Sequence, residues 1–301
     1  MTRRILAFVS LMVLASLAPL AAQIGETNNT VVVITSDASN YVLHAGGTVA
    51  KMIEDGMEGI LIRIGNDEKD SWDLSPEETA LRTKQESEAA AKILGISKVI
   101  SLGFRSSDFR DVPFTTMRDR LSYYIRVHKP RVLFIPNPHT QYDRNHDRYY
   151  GGRAAEDAWR AAAFKNYLPA MKDVDLGTHV TPEVYYFAPL VDPARREPES
   201  TGTFVPQPKM TDISGTLEKK IKAAQALKTI NHSLAMRLKQ RLDSTDRRLP
   251  LLDRVDEASI NKLVEQRVRG LARLSAEGTD FQAAEEFRYA GVEYRIPASY
   301  R

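Results

Sequence analysis

Hydrophobic and polar positions alternate between two patterns along the first two thirds of the chain. Short runs of aliphatic and aromatic residues are typical of strands buried on both faces of a parallel sheet. Longer segments between them, with apolar residues three and four positions apart, predict amphipathic helices. The predicted strands are residues 31–35, 60–64, 99–102, 131–135 and 184–187. The predicted helices are residues 46–58, 76–94, 115–128 and 149–167.

This alternation predicts an α/β fold with a Rossmann-like, doubly wound, mostly parallel sheet and right-handed crossovers. One helix start is well marked, because Ser75, Pro76 and Glu78 provide an N-cap, a first-turn proline and a capping-box glutamate. Ligands bind such sheets beyond the carboxyl ends of the strands. The loops expected to carry chemistry are therefore residues 36–44, 65–75, 103–113 and 137–148.

The C-terminal part of the chain predicts a helical elaboration of this sheet. Residues 217–242 and 259–275 have the spacing of two amphipathic helices. Residues 189–208 contain five prolines and predict a surface excursion or a lid. We therefore predict a single domain over residues 23–301, with its core at 31–168 and its C-terminal elaboration at 169–301.

The first 22 residues have the three parts of a secretory signal peptide. Arg3 and Arg4 precede an apolar run that is short for a membrane span, and the run ends in alanines around Pro19. We expect cleavage after residue 22, an exported protein (periplasmic or secreted), and no membrane association of the mature chain. Loss of the two arginines, with no acidic residue, would lower the net charge from +3 to +1.

Charge and cysteine content exclude several function classes. The 42 basic and 39 acidic residues are far from the imbalance of a dedicated nucleic-acid binder, so no nucleic-acid partner is predicted. The chain has no cysteine, which excludes disulfides, thiolate zinc sites and a cysteine nucleophile. Any metal would need histidine, aspartate or glutamate ligands, and there are only six histidines.

Four segments in a fixed order carry a resemblance to a known family. They are AGGTVA at residues 45–50, RTKQE to LGI at 82–96, SLGF at 101–104 and NHDRYYGGRA at 145–154. In order and spacing they are similar to the LmbE/PIG-L family of N-acetylglucosaminyl de-N-acetylases, most closely over residues 31–159. The resemblance implies a Rossmann-like fold and a zinc-dependent hydrolase that removes acetyl groups from N-acetylglucosamine-type sugars. It implies a metal held by two histidines and an aspartate, with a neighbouring carboxylate as the base.

The first family signature, Ala-His-Pro-Asp-Asp, corresponds to residues 36–40 of this chain. Here Asp37 stands at the ligand histidine, Ser39 at the catalytic base and Asn40 at the ligand aspartate. Asn40 offers only a neutral carbonyl oxygen, and Ser39 is not basic near pH 7 without a partner. Loss of a general base typically slows catalysis by ~10²–10⁴-fold.

The second family signature, His-Pro-Asp-His, corresponds to residues 145–148. Asn145 stands at the histidine that assists the oxyanion, Asp147 is retained, and Arg148 stands at the third ligand histidine. A guanidinium has no lone pair for a metal and repels cations. We therefore expect no cofactor at the inherited site. Because Asp37 and Arg148 occupy positions that converge on one ion in the family, we also predict a salt bridge between them.

Two other features are open to a structural or a functional interpretation. Arg82 and Glu86, four positions apart on one helix, could form an ion pair or contact a ligand. Four aromatic side chains of the predicted loops could stack on a sugar ring or pack the loops down: Trp72, Phe104, Phe109 and Tyr142.

Three functions remain open from the sequence. The first is a catalytically silent family member, a pseudoenzyme, that still binds a glycan, such as an N-acetylated amino sugar, or a partner. The second is an active de-N-acetylase with zinc at a rebuilt site, for which His44 and His146 are the relocated ligands. The third is a structural protein whose pocket the Asp37–Arg148 pair closes. The first is favoured, because the ligand and base positions are altered. Its expected pocket residues are Asp37, Ser39, Asn40, Asn145, Asp147 and Arg148.

Overall fold

The computed structural model describes residues 28–138, 145–188 and 207–291. Its strands are β1 (Asn28–Thr35), β2 (Glu58–Gly65), β3 (Lys98–Phe104), β4 (Pro130–Pro136), β5 (Glu183–Phe187), β6 (Gln207–Asp212) and β7 (Ala284–Ala290). They form one sheet in the order β3-β2-β1-β4-β5-β7-β6. Strands β1 to β5 run parallel, and β7 is antiparallel to both β5 and β6. The predicted mostly parallel, doubly wound sheet is confirmed.

Helices cover both faces of this sheet. They are α1 (Asn40–His44), α2 (Gly46–Glu54), α3 (Pro76–Leu94), α4 (Phe114–His128), α5 (His146–Ala163), α6 (Leu217–Gln225), α7 (Lys228–Asp243) and α8 (Glu257–Ala276). One apolar core joins the sheet to α1, α2, α3, α6 and α8. A second core joins the opposite face to α4 and α5.

Strand β1, in the interior of the sheet, is buried on both faces. Val31 and Val33 belong to one core, Val32 and Ile34 belong to the other, and all four are fully buried. Full burial of such a side chain contributes about 1.5–3 kcal/mol. This strand ends at Thr35, so the loop that follows it starts from a rigidly held point.

Three sequence predictions of elements are corrected by the structure. The single helix expected at 217–242 is interrupted after Gln225 and forms α6 and α7. The last residues of the predicted excursion at 189–208 belong to strand β6, while residues 189–206 lie outside the described residues. Helix α5 begins three residues earlier than predicted, because the Asn145 side chain caps it by accepting a hydrogen bond from the Asp147 amide at 3.0 Å.

A side chain of α3 caps the start of α7 at the break between α6 and α7. The Glu86 carboxylate accepts hydrogen bonds from the Thr229 amide at 2.9 and 3.1 Å and from the Thr229 hydroxyl at 2.8 Å. A carboxylate at this place satisfies amides at the start of α7. Arg82 pairs instead with Glu78 at 2.6 Å, so the ion pair considered for Arg82 and Glu86 is not formed.

The signal peptide predicted at residues 1–22 lies outside the described residues. Within the ranges that the structure describes, none of the helices has the length and apolar character needed to cross a bilayer.

Candidate functional site

The loop after β1 and the first turn of α5 meet at the carboxyl edge of the sheet. Two glycines in the second turn of α5 permit this close approach. A Cβ on Gly152 would lie 2.6 Å from the Pro136 carbonyl oxygen, and one on Gly151 would collide with the Ser36 hydroxyl. The Ser36 hydroxyl also donates to the Asp147 carbonyl oxygen at 3.0 Å. These contacts hold the first turn of α5 against the end of β1.

Asp37 and Arg148 form the predicted ion pair at this junction. The Arg148 Nε donates to Asp37 Oδ2 at 2.7 Å, and Nη2 donates to Oδ1 at 3.3 Å. Two parallel bonds from one guanidinium to one carboxylate form the strong bidentate arrangement of this pair of groups. The side chains are 9% and 17% exposed, so the pair touches solvent without being surrounded by it.

The loop itself supplies further donors to Asp37. Its Oδ1 accepts from the amides of Ser39 and Asn40, both at 2.9 Å, and from the Ser39 hydroxyl at 2.8 Å. Burial raises the pKa of Asp37, but the charge and hydrogen bonds of Arg148 and the loop donors outweigh it, and the pKa is lowered to about 2. Asp37 is therefore a carboxylate at neutral pH and a very weak base.

The two neighbouring signature positions are also without catalytic partners. The Ser39 hydroxyl donates to Asp37 and accepts from Arg148 Nη2 at 3.3 Å. A carboxylate with a pKa near 2 does not activate a serine hydroxyl. Asn40 is buried, and its Oδ1 has no hydrogen-bond partner among the residues that the structure describes.

These residues do not fit the zinc ion that the family resemblance implies. Arg148 places a permanent positive charge 2.7 Å from Asp37, the one anionic oxygen donor among the three inherited ligand positions. Zinc sites use neutral imidazole, thiolate or carboxylate donors, and a guanidinium provides none of these. In the described ranges, no group of three or more histidine, aspartate or glutamate side chains is arranged to hold a metal.

Asp147 is retained from the family signature, but here it organises a loop. Its Oδ2 accepts from the Ser107 amide in a short hydrogen bond, and its Oδ1 accepts from the Phe109 amide at 3.4 Å. Burial raises the pKa of Asp147, and these two amide bonds oppose the rise. Asn145, at the family's oxyanion position, caps α5 through its side-chain oxygen. Both residues thus have structural partners at this edge.

The two candidate relocated ligands lie in different surroundings. His146 is exposed in the first turn of α5. His44 is buried at the end of α1, where it lines a small recess together with Lys220 and Glu285. Burial, followed by the charges of Arg148, Lys220 and Arg267, lowers the pKa of His44 well below its ordinary value. Its ring is therefore neutral at pH 7.

Sequence reasoning missed a second buried ion pair beside the first. Asp67, in the loop after β2, accepts from the Ala38 amide at 3.0 Å and from Arg63 Nη2 at 2.9 Å. Its Oδ1 has no hydrogen-bond partner in the described ranges. Burial raises the pKa of Asp67 to about 7, although Arg63 lowers it. Asp67 holds the β1 loop in place through Ala38, and only its position in a predicted site loop could have indicated it.

Asp70 is a further acidic group in the loop after β2. Its side chain is half-buried and makes no hydrogen bond or ion pair within the part of the chain that the structure describes. Burial and the negative charge of Asp37 raise the pKa of Asp70 to about 6. Sequence reasoning did not single it out, since no signature position contains it.

Four aromatic side chains were considered for stacking on a sugar. Phe109 is buried in the second core, and Phe104 packs edge-on against it with ring centroids 6.4 Å apart. Trp72 is 38% exposed in the loop after β2. Tyr142 lies outside the described residues. Trp72 is therefore the described aromatic that remains available for a ligand.

A third ion pair joins α6 to β7 in the C-terminal elaboration, and we call it the brace pair. Lys220 Nζ on α6 lies 2.8 Å from Glu285 Oε1 on β7, and the two side chains are 1% and 2% exposed. The same Glu285 carboxylate accepts from the amides of Gly47 and Thr48 at 2.9 and 2.8 Å. It therefore caps helix α2 with a negative charge.

Comparison with known proteins shows a likeness to one family over the N-terminal part of the chain. Residues 28–158 match the family model PIG-L, described as GlcNAc-PI de-N-acetylase. Over 125 residues the chain is 26% identical to the diacetylchitobiose deacetylase of Thermococcus kodakarensis. Over this stretch the chain is similar to the PIG-L family. The alignment covers 40% of this chain and 46% of the relative, so the chain spans less than half of that relative's length.

Solved structures extend the likeness in fold to nearly all of this chain. An N,N'-diacetylchitobiose deacetylase from Pyrococcus horikoshii, complexed with its inhibitor, superposes with a TM-score of 0.67 at 20% identity, over 90% of this chain and 88% of the other. The 4-carboxy-2-hydroxymuconate hydratase GalB from Pseudomonas putida gives 0.57 at 17% identity, over 89% and 98%. At such identities the likeness establishes the fold, and this fold carries more than one activity.

Proposed function

We propose that this protein binds an N-acetylated amino sugar or a related glycan at the carboxyl edge of its sheet without hydrolysing it. The observation that carries the proposal is the bidentate pair of Arg148 and Asp37 at 2.7 and 3.3 Å. This pair puts a fixed cation where the resemblance implies a metal. We also propose that the protein acts after export, on the basis of its N-terminal sequence.

Amide hydrolysis needs an activated water and a base to take its proton, and the inherited positions supply neither. Asp37 is held in its charged form by five hydrogen bonds, and its pKa of about 2 makes it a poor base. The Ser39 hydroxyl has only Asp37 and Arg148 as partners among the described residues. The loss of a metal-bound water adds to the ~10²–10⁴-fold cost of a missing base.

Binding is supported by the groups that remain at the same edge. The Asp37–Arg148 pair is partly exposed, Ser39 is half-buried, and Trp72 presents an accessible ring. Hydroxyl and acetamido groups of a sugar are donors and acceptors for such side chains, and aromatic faces pack on sugar rings. The curated relative and the neighbour from Pyrococcus horikoshii are named as deacetylases of diacetylchitobiose, which suggests the ligand class.

The test is titration calorimetry of the mature protein with N-acetylglucosamine and N,N'-diacetylchitobiose, paired with an acetate-release assay on the same samples. We expect saturable binding, its loss in Trp72→Ala, and no acetate above the background of a protein-free control. Tyr123→Ala, which removes an exposed aromatic side chain of α4, is the matched control and should bind normally. Absence of binding to both sugars would overturn the proposal.

A second function, amide hydrolysis at a rebuilt site, is favoured by one observation. Asp70 combines partial burial, a pKa of about 6 and a carboxylate with no hydrogen bond or ion pair among the described residues. A base with these properties suits proton abstraction near neutral pH. Acetate release that disappears in Asp70→Asn would establish this second function in place of the first.

A further inference from the structure

A small recess lies where helices α1 and α8 meet the carboxyl edge of the sheet. His44 of α1 and Leu271 of α8 line it, together with Ala188 and Ala284. Ala188 directly follows β5 at its carboxyl end, and Ala284 begins β7, which runs antiparallel to β5 and pairs with it. The start of β7 and the end of β5 are therefore at the same edge. The recess thus shares its edge with the ion pair of the candidate site.

The recess is close enough to that ion pair for one ligand to reach both. Asp37 follows β1, and β5 is two strands away from β1 in the sheet order. Neighbouring strands are about 4.8 Å apart, so the recess lies about 10 Å along the edge. Helix α1 covers this span, because it begins at Asn40, directly after Ser39, and ends at His44. A short oligosaccharide extends over such a distance.

The charged side chains that line the recess have partners of their own within the described ranges. Lys220 Nζ lies 2.8 Å from Glu285 Oε1, and the Glu285 carboxylate also accepts from two amides at the start of α2. Glu286 is half-buried and is engaged in an interaction of its own, as is the buried Ser275. These partners favour an uncharged group as the occupant of the recess.

His44 differs from these residues, because its ring nitrogens have no assigned partner. Its side chain is more than nine-tenths buried, and it forms no hydrogen bond or ion pair with the part of the chain that the structure describes. Burial and the charges of Arg148, Lys220 and Arg267 lower its pKa, so its ring is neutral and carries one donor and one acceptor. Buried polar groups normally have a partner. A polar ligand atom in the recess would supply it.

Apolar side chains form much of the remaining wall. Leu43 is buried in the first core, and Leu271 on α8 is partly buried. Ala188 and Ala284 add two methyl groups. The recess has space on the order of one water molecule or one methyl group. Its shape and chemistry therefore favour a small, neutral group that combines a methyl with a hydrogen-bond acceptor.

We propose that this recess receives the acetyl group of the N-acetylated sugar, with its methyl against Leu43 and Leu271 and its carbonyl oxygen accepting from the His44 N–H. An acetamido group has no charge, so it needs no counter-ion in the recess. The rest of the sugar then extends along the edge toward Asp37 and Arg148. This inference rests on the proposed glycan-binding function and specifies how the ligand is recognised.

The experiment compares two ligands by titration calorimetry: N,N'-diacetylchitobiose and its N,N'-dipropionyl analogue, whose acyl groups are each one methylene longer. We expect the unmodified protein to bind the acetyl ligand about tenfold more tightly, because the small recess does not accommodate the extra methylene. Leu271→Ala enlarges the recess and should bind the propionyl ligand at least as tightly as the acetyl ligand. His44→Phe should bind the acetyl ligand about three- to tenfold more weakly, because it removes the donor.

Leu274→Ala is the matched control, since it truncates another partly buried leucine of α8 that does not line the recess. It should keep the preference for the acetyl ligand. Equal affinity of the unmodified protein for both ligands would overturn the acetyl subsite while leaving glycan binding intact. An unchanged preference in Leu271→Ala would overturn its assignment to this recess, and normal binding by His44→Phe would overturn the hydrogen bond. Failure of both ligands to bind would overturn the proposed function itself.

Discussion

Two buried ion pairs join distant parts of this chain, and their surroundings differ. Lys220 and Glu285, the brace pair, lie in the C-terminal elaboration, with 1% and 2% of their side chains exposed. Asp37 and Arg148 lie at the carboxyl edge of the sheet, with 9% and 17% exposed. The first pair is almost completely buried, while the second is partly exposed to solvent.

The comparison shows that one ion pair can serve the fold alone, while another also belongs to a binding surface. Glu285 uses both carboxylate oxygens to satisfy the start of α2, so its role is complete within the fold. Asp37 also accepts three hydrogen bonds from its own loop, so its carboxylate keeps partners when Arg148 is removed. The site pair therefore contributes less to folding than the brace pair, and it can tolerate change more readily.

The largest effect should come from breaking the brace pair. Glu285→Gln leaves Lys220 as an unpaired buried cation and weakens the cap of α2, so we expect a loss of about 3–5 kcal/mol in the free energy of unfolding. Chemical denaturation measures this loss. The double variant Lys220→Met/Glu285→Gln removes both charges and should recover part of it. A loss below about 1 kcal/mol in the single variant would contradict the structural role of the pair.

Breaking the site pair should cost less. Arg148→Met leaves Asp37 with its three loop donors and some access to water, so we expect a loss of about 1–3 kcal/mol by the same denaturation experiment. The protein should remain folded, with its circular dichroism spectrum unchanged. A loss equal to that of Glu285→Gln would remove the distinction between the two regions.

Acid should affect the site pair in a defined pH window. The pKa of Asp37 is about 2 in the folded protein, below the ordinary aspartate value of 3.8, so its ionisation stabilises the fold above about pH 4. That contribution, about 2 kcal/mol, should be lost as the pH falls from about 4 to 2. Asp37→Asn should show a shallower loss of stability over this window. Parallel curves for the two proteins would mean that the Asp37 pKa is not depressed.

Breaking an exposed ion pair should have the smallest effect on stability, and it provides a reference for the cost of losing a pair that is not buried. Glu78 and Arg82, about half exposed, lie 2.6 Å apart on α3. Arg82→Gln should cost about 0.3–0.5 kcal/mol, and high salt should reduce the difference because it screens the pair. A cost near that of Arg148→Met would indicate that partial burial adds nothing to the site pair.

The sequence predicted the sheet well because each parallel strand is locally recognisable. Val31 to Ile34 are buried on both faces and read as a continuous apolar run. Strands β6 and β7 were missed, because their antiparallel pairing at the sheet edge leaves no such run. The break after Gln225 was missed because it depends on Glu86, a residue 143 positions before the Thr229 that it caps.

The sequence predicted those site residues that align with the two family signatures, and it did not predict the others. The Asp37–Arg148 pair followed from two positions that converge on one ion in the family, and it is present. Asp70 belongs to no signature, and only the fold brings it close enough for the charge of Asp37 to raise its pKa. Asp67 was missed because its partners, Ala38 and Arg63, are set by the packing of two loops.

The central claim is that an arginine–aspartate pair replaces the metal of the inherited site. Its most direct test is the zinc content of the purified mature protein, expressed with zinc in the medium and never exposed to chelator. We predict well under one equivalent per chain, unchanged in His44→Ala and His146→Ala. About one equivalent, lost in either histidine variant, would contradict the account and establish a rebuilt metal site.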